Sequence, residues 1–140
     1  MSFNIQTSRE ARELCYNELH TKIEFLPIVT PECNIQRLRE YKYCICPQGN
    51  GIDTHRLWEA LYLGVVPILL RNTFTENIQK TMHLPLILLD SWNDLNLVDV
   101  PDYNSFNFNI CNKYLSMEYY SKLINANTVT KTLPNVHTIC

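Results

Sequence analysis

The feature that most constrains this chain is the apolar run Val65-Val66-Pro67-Ile68-Leu69-Leu70, which carries no polar alternation. A run of that length is too short for a buried helix. It fits a strand covered on both faces, as in a parallel sheet. Leu84 to Leu89 repeats the pattern and ends at Asp90. Tyr43 to Cys46 is a shorter version stopped by Pro47. Between these runs lie segments with helical spacing. Arg9 to His20 brings Ala11, Leu14, Cys15 and Leu19 to one face, behind an N-cap offered by Thr7-Ser8. Thr54 to Leu63 turns Leu57, Ala60 and Leu61 toward a core, and Phe74 to Lys80 is a shorter helix. Ser91 N-caps a helix through about Asn96.

The N-terminal part extends this alternation. Phe3 and Ile5 alternate with polar neighbours, which predicts a strand over Ser2 to Gln6. Lys22 to Val29 reads as a second strand, limited by Pro27 to an edge or a short length. Pro31 and Asn34 mark a loop, and Ile35 to Glu40 a short helix. Strands alternating with helices predict an α/β fold with a parallel sheet of about five strands and helices on both faces. The unit spans residues 1–97. Residues 98–140 read as a loop, one helix over Asn112 to Ile124, and a tail from Asn125 that is unstructured or loosely docked. The aromatics Tyr103, Phe106, Phe108, Tyr114, Tyr119 and Tyr120 fall there, either packed onto the domain or forming an interface.

The 140 residues suit one domain, and 46% hydrophobic against 19% charged residues is a globular balance. A net charge of −2 argues against a broadly basic nucleic-acid surface. No apolar run is long enough for a transmembrane helix. The first ten residues lack the basic start and apolar core of a signal peptide, so a cytoplasmic location is expected if the chain is complete. Six cysteines, at 15, 33, 44, 46, 111 and 140, contain no CxxC pair. They read as small buried hydrophobes. A zinc site from Cys44, Cys46 and His55 lacks standard spacing, and disulfides require an oxidising compartment. Cys44 and Cys46, two apart in a strand, point to the same face.

In an open parallel sheet, ligands bind beyond the carboxyl ends of the strands. The loop after Cys46 is the most unusual of these: Pro47-Gln48-Gly49-Asn50-Gly51-Ile52-Asp53-Thr54-His55-Arg56. It holds two of the chain's three glycines. Gly49 and Gly51 permit torsions and close approach denied to other residues. The helix that follows presents free N–H groups, and Arg56 adds a fork that matches phosphate. The features converge on an anion. No Gly-Lys-Ser/Thr follows, so this is not a Walker loop, and the third glycine of a dinucleotide fingerprint is missing. Glu59 shares a helix face with Arg56. The two form either a surface ion pair or a phosphate ligand beside a carboxylate that accepts sugar hydroxyls. His55 either contacts a phosphate or sugar or is an exposed first-turn residue. Asp53 or Thr54 is the N-cap, and Trp58 packs on the sheet or stacks on a base.

The stretch Pro47 to Leu61, followed by Gly64-Val65-Val66-Pro67-Ile68, resembles the donor-binding half of GT-B-type glycosyltransferases, in particular the exostosin-like and fucosyltransferase-like group. Leu84 to Asp90 with Ser91-Trp92 is similar to the next strand and helix start of such domains. The resemblance covers roughly residues 1–97 and implies one Rossmann-like lobe of a GT-B fold that binds a UDP- or GDP-linked sugar for transfer to an acceptor hydroxyl. It implies that Arg56 contacts the diphosphate and Glu59 the ribose. Gly49, Asn50 and Gly51, with Thr54 and His55 at the helix start, approach phosphates and donor sugar. Thr7 and Arg9 face the same cleft. No Asp-x-Asp is present, which agrees with metal-independent members, and no resident cofactor or metal is implied. The acceptor lobe is absent from these 140 residues, so a second chain or missing lobe would supply it. Glu24, Glu32, Asp90 and Asp94 are available carboxylates, and none stands out as a base. Two other readings remain open: a non-catalytic nucleotide or nucleotide-sugar module, and an unrelated doubly wound protein acting through protein contacts.

Overall fold

The structure, a computed structural model, describes residues 3–96 and 99–126. Its centre is a three-stranded parallel sheet of β1 (Tyr43–Ile45), β2 (Val66–Leu70) and β3 (Ile87–Leu89), in the order β1-β2-β3. Tyr43 pairs with Val66, and Ile68 with both Ile45 and Ile87. Side chains alternate between two cores, as a pleat requires. Cys46, Leu69 and Leu86 enter one core, with Leu57, Ala60 and Leu61 from α3 (His55–Tyr62) and Ile78 from α4 (Thr73–Met82). Ile45 and Ile68 enter the other, with Cys15 and Leu19 from α1 (Arg9–Leu19), Phe3 and Trp92. Helices therefore cover both faces, and β2 is buried from Val66 to Leu69. Cys44 and Cys46 share a face, as their spacing requires.

Caps explain several element boundaries. Asn72 and Thr75 close a reciprocal box at the start of α4, both bonds at 2.9 Å. Ser91 and Asp94 do the same for the single 3-10 turn Trp92–Asp94, which replaces the longer helix expected to Asn96. Glu18 on α1 accepts from Ser91 Oγ and the Asn93 N–H, at 3.2 and 3.1 Å, tying that turn to α1. The Trp92 indole is buried, and its N–H finds no acceptor among the described residues.

Several expectations are corrected. Among the described residues the sheet has three strands rather than five. The segment from Phe3 to Gln6 runs into a turn instead of a strand. Lys22 to Val29 joins no ladder either. Pro27 has no N–H to give one, and the segment is held by side chains: Phe25 meets Phe3 and Tyr16 edge-on at 5.3 and 5.1 Å. The loop expected at Pro31 is the first turn of α2 (Pro31–Leu38), because proline is well placed at N1. There Thr30 accepts from the Cys33 N–H at 3.4 Å. Leu14, expected on the packing face of α1, is 48% exposed. The helix expected over Asn112 to Ile124 is two helices, α5 (Asn109–Tyr114) and α6 (Met117–Ala126), broken where Ser116 Oγ accepts from the Tyr119 N–H. Cys111 is buried in the first core, and the Tyr103 hydroxyl donates to the Gly64 carbonyl, so this region docks on the sheet unit. The tail beyond Ala126 lies outside the described residues.

Among the described residues no helix is long and apolar enough to cross a membrane. The five described cysteines are free thiols, three of them buried. Burial pushes the Cys15 thiol up to about 12. An unfolded thiol ionises near its ordinary 9.0, so the unfolded state gains stability as pH rises from there toward 12. Urea unfolding under reducing conditions should therefore show stability declining above pH 9.0, with a shallower decline in Cys15→Ala. Asn72→Ala should cost about 1 kcal/mol at all pH values, seen as a lower midpoint with unchanged slope.

Candidate functional site

The site lies beyond the carboxyl end of β1. Pro47, buried directly after Cys46, ends the strand. The chain then crosses an exposed loop, Asn50 to Asp53, and enters α3. Thr54 is the N-cap residue of α3 by position, buried to 5%, but its side chain makes no capping bond. The Asp53 carboxylate accepts from the Trp58 indole N–H at 2.7 Å. Trp58 packs on the first core, and its N–H is turned to the loop. His55 is exposed in the first turn.

The freedom assigned to Gly49 and Gly51 takes a different form. Neither adopts a positive φ; the left-handed glycine is Gly64, at φ 69°. Gly49 matters by proximity, since a Cβ there would lie 3.5 Å from Arg12 Nη2. Arg12, on α1, donates through Nε to the Gln48 carbonyl at 3.1 Å and through Nη1 to the Asn4 carbonyl at 2.8 Å. These two bonds fix the guanidinium against the loop. Burial and the nearby Arg56 charge both lower the Arg12 pKa. Arg12 thus lies beside Gly49, within electrostatic reach of Arg56. Sequence reading missed Arg12, which looks like an ordinary polar position on an amphipathic helix. Arg12 follows Arg9 by one helical turn, so the two share a side of the helix and the spacing does not separate them. Arg9 is exposed and paired with Glu13 at 2.6 Å. Thr7 sits in the preceding turn, its N–H on the Asn4 carbonyl.

Arg56 Nε lies 3.3 Å from Glu59 Oε2, with the side chains 23% and 39% exposed. The expected pairing on one helix face is present. Arg56 also lines a cavity of about 320 Å³ along β1. Its walls are apolar, with Leu26, Leu38, Tyr41, Tyr43, Ile45 and Ile68 among them. Lys22, Arg37 and Arg56 also line it, and no carboxylate does among the described residues. Cys44 also borders it, with its side chain packed on the first core. Its thiol is pulled below the ordinary value first by its bond with the Cys46 thiol and then by Arg56, against its burial. Burial pushes Cys46 up.

Asp90 and Asp94, two of the available carboxylates, sit in structural bonds. Asp90 pairs with Arg71 at 2.7 Å, and Asp94 caps the turn after Ser91. Among the described residues no group of three His, Cys, Asp or Glu side chains is gathered for a metal, so Cys44, Cys46 and His55 do not form one.

No protein-family model matches the chain. An Arabidopsis thaliana protein named "Probable glycosyltransferase At5g03795" is 43% identical over 37 residues. That stretch is 26% of this chain and 7% of the plant protein, so the chain matches only a small part of that relative's length. The likeness is a partial one to a probable glycosyltransferase.

The Arg12 bonds to Gln48 and Asn4 hold the N-terminal turn to the loop. Arg12→Ala should cost about 1–2 kcal/mol in urea unfolding, through two lost charge-assisted bonds. Arg9→Ala, which removes an exposed pair, should cost only a few tenths.

Proposed function

We propose that the chain binds a nucleoside-diphosphate sugar, UDP- or GDP-linked, as the donor-binding part of a glycosyltransferase. One observation carries this reading: at the carboxyl end of the sheet Arg12 lies against the Gly49 loop, near enough to Arg56 of the following helix for the two charges to act on one another. Each guanidinium makes the other more costly, and a diphosphate between them offsets that cost. In transfer, the same two charges stabilise the diphosphate as it departs. The partial likeness to a probable glycosyltransferase supports this chemistry.

The remaining site residues take places around that anchor. The Gly49-Asn50-Gly51 loop borders the phosphates, with Thr54 and His55 at the helix start beside it. Glu59, beside Arg56, accepts the ribose hydroxyls. The cavity along β1 adjoins Arg56 and has the apolar walls a nucleoside needs. The acceptor hydroxyl and its base come from a second chain or a further lobe. A non-catalytic donor-binding module is the second reading. It is favoured by one observation: Asp90 and Asp94 are both committed to structural bonds.

Calorimetric titration with UDP, GDP and their sugars tests the reading. Arg12→Ala and Arg56→Ala should each weaken a diphosphate by roughly tenfold or more, the loss of a charge-assisted bond. The corresponding nucleosides should be weakened far less. Absence of binding by every nucleotide would refute the proposal. Binding without transfer or donor hydrolysis, in the presence of acceptors, would select the module.

A further inference from the structure

The sheet edge at β1 carries hydrogen-bonding groups that the fold leaves unused. β1 pairs with β2 alone among the described residues. The Val66 N–H donates to the Lys42 carbonyl and the Cys46 N–H to the Ile68 carbonyl, each at 2.9 Å. Main-chain groups of alternate strand residues point to opposite edges, so those of Tyr43 and Ile45 turn away from β2. Among the described residues the Tyr43 main chain and the Ile45 N–H have no hydrogen bond, and the Ile45 carbonyl has only the Cys44 thiol at 3.6 Å. Ile45 is 8% exposed. Buried main-chain groups without a partner are costly, and a bound ligand satisfies them.

The 320 Å³ cavity lies over this edge. Leu38 and Cys44, of the first core, line it together with Tyr43, Ile45 and Ile68, of the other. The two cores lie on opposite faces of the sheet, and β2 closes the far side of β1. A space bordered by both faces therefore runs round the free edge. A planar ring there continues the plane of the sheet, with apolar walls against its faces and its rim toward β1. Lys22 and Arg37, also in the lining, are held by the Asn93 and Pro27 carbonyls. Along the edge the groups run Tyr43 N–H, Tyr43 C=O, Ile45 N–H: donor, acceptor, donor. Uracil presents the complement through O2, N3–H and O4. Guanine presents one acceptor and then two donors, and cytosine two acceptors and then a donor. Each of those leaves at least one pair of like groups opposed. We propose that the main-chain edge of β1 at Tyr43 and Ile45 reads the base of the bound nucleotide and selects uracil against guanine and cytosine. Base reading of this kind rests on the donor reading, with Arg56 on the diphosphate side of the cavity.

The test titrates UDP, GDP, CDP and N3-methyl-UDP into the full chain by calorimetry, and follows amide exchange residue by residue by NMR with and without UDP. UDP should bind more tightly than each of the other three by about tenfold, the cost of one buried donor or acceptor left without a partner. UDP should also slow exchange of the Tyr43 and Ile45 amides by more than that of Cys46, which is already bonded to Ile68. GDP, CDP or N3-methyl-UDP binding as tightly as UDP, or bound UDP with exchange at Tyr43 and Ile45 unaltered, would overturn the base reading while the donor reading survives. If no nucleotide binds, both fail.

Discussion

Everything in this molecule depends on β2 being buried between two apolar cores. Val66 to Leu69 have no polar face to offer, so both sides of the strand must be covered. That requirement brings α3 and α4 to one side and α1 to the other. It also pairs β1 and β3 in parallel with β2, which places their carboxyl ends on one rim. Loop ends, helix starts and the guanidiniums of α1 and α3 then meet there by topology. The site follows from the sheet: the parallel strands put the loop after β1 and the start of α3 at that rim, and α1 reaches the same loop from the other face.

The parts of the fold legible in the sequence are those set by local chemistry. Unbroken apolar runs located β1, β2 and the end of β3. Cap residues located the start of α4 and the turn after Ser91. Misreadings arose where one residue has two uses. Pro31 was read as a loop marker, yet proline at N1 begins a helix as readily. Phe3 and Phe25 carry strand-like spacing, but they bind through ring contacts and not through a ladder. Ser116 splits the last helix in two by accepting a backbone N–H, a role that composition does not announce.

The site shows the same division. Arg56 and Glu59 were legible because both lie on one short helix, and their ion pair is as their spacing requires. Gly49 was legible as a position of close approach, though the approaching group was not. Arg12 is 36 residues from the carbonyl it holds, and no local pattern encodes that contact. The cavity was illegible for a similar reason: Leu26, Tyr43, Ile68 and Val100 come from four separate stretches and meet only when the sheet closes. The ion pair and the proposed anion site are also not exclusive. Glu59 pairs with Arg56, which also lines the cavity.

The central claim is that Arg12 and Arg56 act on one anion. A double-mutant cycle on UDP affinity, with Arg12→Ala, Arg56→Ala and the double variant, measures this directly. Groups sharing one ligand should be coupled by about 0.5–3 kcal/mol, so the double loss should differ from the sum of the single losses. Strict additivity, or UDP binding indifferent to Arg12, would contradict the account.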